Sequence, residues 1–383
     1  VRLIRAFLSL PKISSVKIFF LAILISSTVV NCTMVPMEMD SPKYGKPVSR
    51  AEIAQLLLTK SRNAPLDLQG KNLADLDLEN MDLSYVQLND TFLSRTVLNN
   101  ANLSSASLKN AKLRNVKLRK ADLSNTNLQG ADLSNADLSG AILENTDLSR
   151  ADLSGANLEN VNFKNAILEQ TVFADTTLTQ SDFAGKVLRG ANFKKAKLIE
   201  VNFTRADVSE TNFSHTKLIK AKFTDAQLSR AIFTKSTCTE CDFRGANLFQ
   251  GIFKEAIFQE SQMQNATLDE ANFTEADLIA SNLHQANAVR TTFIWAYLSD
   301  AILTEVDFSN ANLSNATLRN SNLGNSILAS TVLLNTDFQG SKLNNVGFSQ
   351  AHIGGANFKD ADLTNARGLD QVKGLDSVKN FNP

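Results

Sequence analysis

Few side chains in this sequence stand at spacings that chemistry uses. Cys238-Thr239-Glu240-Cys241 comes nearest to a reactive or metal-binding motif. A single C-x-x-C supplies too few thiolates for a structural zinc site, and no Trp or Pro flanks it to suggest a redox centre. His215, His284 and His352 are far apart, and none lies near a cysteine or a compact carboxylate cluster. No nucleophile has a base beside it, no glycine-rich loop could cradle phosphate, and no acid pair marks a cleft. No catalytic, metal or cofactor-binding residue is assigned, and the expectation is a protein that is not an enzyme and needs no cofactor.

The framework holding these side chains is a repeat. From Leu66 to Asn365 the sequence keeps a five-residue phase without a break. Of the 60 central positions from Leu68 to Leu363, 55 are Leu or Phe; the exceptions are Val208, Cys238, Met263, Ala288 and Ile353. Two residues before each centre stands, as a rule, Ala, Ser, Thr or Val, as in Ala121-Asp122-Leu123-Ser124-Asn125. Strands alternate with period two and helices with 3.6, so period five fits neither. It suits one side of a square coil, with two inward positions per unit. About fifteen turns stacked at roughly 4.8 Å would make a rod on the order of 70 Å long.

The A-(D/N)-L-x-x unit resembles the pentapeptide repeat family over most of the chain. That resemblance implies an all-β solenoid, a right-handed quadrilateral β-helix, with the central residue and the small residue before it facing inward. Every fourth unit then shares a face. Phe173, Phe193, Phe213, Phe233, Phe253, Phe273 and Phe293 fall on one face, and Phe163, Phe183, Phe203, Phe223 and Phe243 on the opposite one. Cys238 and Cys241 both take inward positions, which reads as two small core residues; a disulfide is the alternative in an oxidising compartment. Asp132 and Asp152 stack one turn apart. Such carboxylates can hold calcium weakly, but the reading adopted is a pair of solvated repeat positions. Lys186 occupies a position where Ala belongs, and its stem is expected to run outward at a corner.

The remaining segments are short. Residues 1–32 read as a signal peptide or a membrane or lipoprotein anchor: basic residues precede an apolar run from Ile18 to Val30, and Cys32 is a candidate lipidation site. Residues 33–48, with three Met and three Pro, read as a flexible tether. Residues 49–65 hold a capping box at Ser49 and Glu52 and a short capping helix over about 50–60. The β-helix proper covers 66–365. Residues 366–383 form a cap or tail, in which Leu369, Val372, Leu375 and Val378 recur every third residue and suggest a fold back over the last coil.

Lys plus Arg equals Asp plus Glu at 39 each, so nothing pulls the chain globally toward nucleic acid. Two surface features stand out. One is a basic band, Lys109, Lys112, Arg114, Lys117, Arg119 and Lys120, suited to an anionic partner such as lipid headgroups. The other is an apolar set at outward positions, Ile232, Phe249, Ile252, Ile257, Ile279, Ile294, Trp295 and Tyr297, which is a candidate partner site. The expected function is a non-catalytic scaffold of the cell envelope, exported or membrane-tethered, that binds a protein through its rod surface as a monomer or end-to-end dimer. The alternative comes from the family resemblance: some members mimic duplex DNA and bind DNA gyrase in the cytoplasm, protecting it from quinolones. Zero net charge, the basic band and the absence of inserted loops count against it.

Overall fold

The computed structural model describes residues 44–381. The targeting segment, Cys32 and most of the tether lie outside the described residues. Among those described, no helix is long and apolar enough to cross a membrane.

Each five-residue unit builds one side and one corner. Except at one seam, the residue before a centre forms a single parallel bridge to the residue twenty further on, from Asp67↔Gln87 to Gly347↔Arg367. Four sides therefore complete a coil. They are named here by their first centres: side A from Leu68, side B from Leu73, side C from Leu78 and side D from Leu83. At a corner the central carbonyl accepts the amide three residues on, as Leu68 O does from Lys71 N at 3.1 Å. The second residue after the centre is left-handed at corner after corner, for example Asn125 at φ 59 and Gly130 at φ 67. This is the type II turn pattern, which explains the abundance of Asn and Gly there.

The polar half of the motif has structural duties of its own. The Asp or Asn before the centre turns its side chain back on the corner: Asp122 Oδ1 accepts from Ser124 N at 2.9 Å. Where the small inward residue is Thr or Ser, its hydroxyl finds a backbone carbonyl, often one coil away, as Thr126 Oγ1 donates to Leu103 O at 2.9 Å. Buried hydroxyls are thus satisfied without disturbing the ladder.

Between residues 163 and 293 the interior is filled by the two opposed Phe columns, and elsewhere chiefly by Leu. On side B, Phe173 and Phe193 stack at 4.9 Å between centroids and 7° between planes. On side D, Phe223 and Phe243 stack at 4.8 Å and 2°. Rings of opposite columns meet edge-on, as Phe213 and Phe223 do at 5.7 Å and 82°. Both arrangements suit the aromatic quadrupole.

The first coil has no predecessor to bond its outward carbonyls. The preceding segment supplies the donors: Val48 N to Asn72 O at 3.0 Å, Arg50 Nη1 to Asp77 O at 2.6 Å, and Lys60 Nζ to Asp82 O at 2.7 Å. Helix α1, Arg50–Leu57, starts at Ser49 with both capping-box bonds formed. It ends before the expected residue 60, and Ile53 is buried in the core. The tail differs from expectation. It extends the ladder instead of folding back, through Gly347↔Arg367, His352↔Lys373 and Asn357↔Lys379. Two 3-10 turns, Leu369–Gln371 and Leu375–Ser377, replace the five-residue corners, so the sides lengthen and the repeat is lost to the eye.

One place interrupts the ladder. Bridges 157–177, 162–182 and 167–187 are absent, so sides C, D and A part between these coils, whereas side B stays joined through Asp152↔Val172↔Asn192. Sides of the array make three inter-coil bonds elsewhere, except that side D between Leu143 and Phe163 keeps only Asn145 N to Lys164 O at 3.2 Å; of the nine due at this seam only Gln170 N to Arg189 O forms, at 2.9 Å. Phe163 and Phe183, across the seam, are tilted by 32°. Val161, Ala166, Ser181 and Lys186, at inward positions, are half-exposed, whereas Val201 and Ala206 in the next coil are fully buried. Burial pushes the Lys186 ammonium below its ordinary pKa, and Asp182 only partly restores it.

Candidate partner-binding surface

The outward residues on this rod fall into columns one coil apart, so position modulo twenty decides which side chains meet. The basic band wraps around the rod. Lys112 lies on side B, Lys117 on side C, Lys109 beyond side A's centre and Lys120 at the corner after side C. The Arg114 guanidinium pairs with Asp132 at 2.6 Å, and Arg119 pairs with Asp137. Lys112 and Lys117 bridge to the same two aspartates' backbones. The carboxylates one coil later thus answer the two arginines of this band.

Asp132 is itself instructive. Burial works to raise its carboxyl pKa, but hydrogen bonds from Ser134 and Arg114 outweigh that and hold it below the usual carboxylate range. It bridges to Asp152, as the repeat requires. Asp152 spends its oxygen on Ser154. Among the described residues no group of three or more His, Cys, Asp or Glu is arranged to hold a metal ion. His284 Nδ1 lies 2.7 Å from Thr304 Oγ1 one coil on, and His215 stands exposed at a left-handed corner. Cys238 and Cys241 are buried and joined as a disulfide across the corner after side C; the oxidised alternative, not the free-thiol core reading, is what the structure carries.

The apolar set divides. Ile232 and Ile252 are bridge partners on side B, and Ile257 and Tyr297 lie on side C with Asp277 between them. Ile294 and Trp295 sit at the corner between these sides. Phe249 stands at the corner before side B and Ile279 at the corner after side C, so neither faces the rest. Trp295 is 56% exposed and Tyr297 52% exposed. Trp295 also holds φ 59, a conformation costly for a bulky side chain. Ile294, Trp295 and Tyr297 therefore form an exposed aromatic ridge along the B–C edge. Leu334, two coils on in the column of Ile294, extends it and is 41% exposed. Sequence reasoning passed over Leu334 because it lies outside the cluster of outward apolar residues between 232 and 297; counting in twenties would have found it.

A second feature of this edge was missed altogether. Lys194 and Lys195 turn the B–C corner, and Lys197 and Lys217 are bridge partners on side C. All four are exposed, as is His215 between them. The period-twenty spacing of 197 and 217 is the signal that could have revealed them.

A closed stack of four-sided coils with flat faces defines a parallel β-solenoid, a class that presents surface along its length. The sequence matches the family model "Pentapeptide repeats" at residues 96–135, 131–170 and 256–293, and the model "Pentapeptide repeat region" at 176–250 and 301–367. Together these cover more than half of the chain, and the protein belongs to the pentapeptide repeat family, whose β-helix is right-handed. No curated protein matches it. Among solved structures it is similar to HetL, a pentapeptide repeat protein involved in heterocyst differentiation regulation from the cyanobacterium Nostoc sp., at 25% identity, covering 85% of this chain and 98% of that one with a TM-score of 0.25. It is also similar to QnrB1, a plasmid-mediated fluoroquinolone resistance protein, at 16% identity over 52% of this chain and 91% of that one, TM-score 0.29. A pentapeptide repeat protein from the Arabidopsis thaliana thylakoid lumen matches at 30% identity over 29% of this chain and 66% of that one, TM-score 0.12.

Proposed function

We propose that this protein is a non-catalytic scaffold of the cell envelope, held there by its N-terminal segment, that binds a protein partner along the B–C edge of a rod of about fifteen coils. One observation carries the reading: Trp295 stands half-exposed in the left-handed conformation beside Ile294 and Tyr297. Asn and Gly serve at many such corners without that strain, so a bulky Trp kept there against its own backbone preference points to contact with another molecule. The buried Cys238–Cys241 disulfide supports an oxidising compartment. Donors from residues 48–60 pair the outward carbonyls of the first coil and blunt that end against stacking, which suits a monomer.

The gyrase-binding alternative needs an unbroken acidic column. At the corner after side C, Glu240 and Glu260 follow each other, but Lys220 pairs with Glu240 at 3.4 Å and Ala280 comes next. That interruption ranks it second. The test is site-specific photo-crosslinking in intact cells from position 297 and from position 287 on side A. A discrete adduct from 297, absent from 287 and lost on Trp295→Ala, is the expected result. Adducts of equal yield from both positions, or adducts to gyrase, would overturn the reading.

A further inference from the structure

We propose that the lysine set on the B–C edge, Lys194, Lys195, Lys197 and Lys217, docks a short acidic segment of the partner protein. The proposal rests on the reading of the rod as a protein-binding scaffold and specifies the chemistry of what it binds.

Three observations converge on it. First, these lysines are uncompensated. Several cations on this rod answer a carboxylate one coil away, as Lys220 does with Glu240, Lys235 with Glu255 and Arg205 with Asp225. Among the described residues Lys194, Lys195, Lys197 and Lys217 make no such pair. Second, Lys197 and Lys217 are direct bridge partners, flanked in their column by Thr177 and Thr237. Like charges set opposite each other on neighbouring strands destabilise a sheet, and an acidic residue at either position would relieve this. Third, the set is short and bounded. Asp175 precedes Lys195 in the corner column, and Lys235 beyond His215 is already held by Glu255 at 3.2 Å. Glu275 and Asp277 follow before the aromatic ridge begins.

These bounds decide the partner's class. Beyond the lysines a bilayer or a long duplex lying on this edge would meet no further free positive charge among the described residues, because Lys235 and Lys254 are held by Glu255 and Glu275 and Asp277 follows. A segment carrying a few Asp or Glu fits the lysines alone. The ridge at Trp295 lies five coils further on, roughly 24 Å along the rod at the β spacing, within reach of the same partner. One edge thus presents a positive, an ion-paired and an apolar stretch in order, which fixes the direction in which a partner lies.

The experiment measures fluorescence anisotropy of a labelled hexaglutamate peptide with the full chain, across a salt series. Three proteins are compared: the natural one, the triple variant Lys195→Gln, Lys197→Gln, Lys217→Gln, and a control, Arg114→Gln with Arg119→Gln, whose guanidinium groups are already paired with Asp132 and Asp137. Salt-sensitive binding that weakens roughly tenfold or more in the triple variant, with the control unchanged, is the expected result. Absence of binding, an equal loss in both variants, or tighter binding to duplex DNA or to phosphatidylglycerol vesicles than to the peptide overturns the proposal. Far-ultraviolet circular dichroism of each variant checks that the rod is intact. The peptide probes only the lysines, and crosslinking from position 297 probes only the ridge, so failure of either reading is distinguishable from failure of the other.

Discussion

Replacing Lys186 by Ala should close the seam between the coils at 157–170 and 177–187. Lys186 occupies an inward position that stacks, in the neighbouring coils, on Ala166 and Ala206. An Ala there lies flush with its neighbours. A four-carbon stem with a charged end cannot, because burying the ammonium carries a heavy desolvation penalty. The ladder to the following coil survives through Val187↔Asp207, so the opening falls on the preceding side. Closing it would form the eight missing bonds of nine. At the low end of the net value, ~0.5 kcal/mol each, this amounts to about 4 kcal/mol. Hydrogen exchange reads it locally, where a solenoid's melting would blur it. In the natural protein the amides of Leu158, Phe163, Leu168, Thr177, Asp182 and Val187 should exchange far faster than those of Phe203 and Phe213. In Lys186→Ala they should slow by roughly a thousandfold. Lys186→Met separates charge from bulk, since it keeps the length without the ammonium. The pH dependence has a definite sign. Because the folded ammonium has the lower pKa, the unfolded state holds more protons, and the penalty is relieved as pH rises toward the ordinary lysine value. Equal protection of these amides and their counterparts in the natural protein would refute the open seam, and continued fast exchange in Lys186→Ala would refute lysine as its cause.

Other outcomes follow from the same geometry. Trp295→Asn should leave the rod as stable or stabilise it by up to ~1 kcal/mol, because Asn tolerates the left-handed corner better, while abolishing the crosslink from position 297; denaturation and crosslinking measured together check this. Phe213→Ala removes a ring stacked on Phe193 and Phe233 and met edge-on by Phe203 and Phe223, and should cost about 3–5 kcal/mol, read as loss of amide protection around its coil. Acidification should loosen the coil around Asp132. Its folded carboxyl lies below the usual range, so its contribution is complete above the unfolded value of about 3.9 and is lost as pH falls through the folded one; Asp132→Asn should flatten that acid limb while keeping the Ser134 turn. Arg50→Ala should expose the Asp77 carbonyl and speed exchange in the first coil, with no effect beyond side C of the next.

The sequence by itself determined the solenoid. Leu or Phe every fifth residue with a small residue two before it admits one periodic solution, and the Phe columns, the inward cysteines and the Ser49–Glu52 capping box follow from counting. Such information is local and repeated, so each unit states it again. The helix end at Leu57 and the six-residue sides of the tail were less legible, because a lone terminal segment is shaped by what it must bond to, and Asn72, Asp77 and Asp82 offer carbonyls that no local pattern mentions. What the tertiary structure decided is everything that depends on neighbours one coil away. Arg114 and Arg119 look like part of a basic band until Asp132 and Asp137 come beside them. Lys194, Lys195, Lys197 and Lys217 look scattered until stacking brings them to one edge. Lys186 looks like a single exception until its coil is seen parting from the one before. The physical reason is the same in each case. Charge compensation and close packing act over a few ångströms, and in this fold the nearest surface neighbour of most residues is the one twenty positions away.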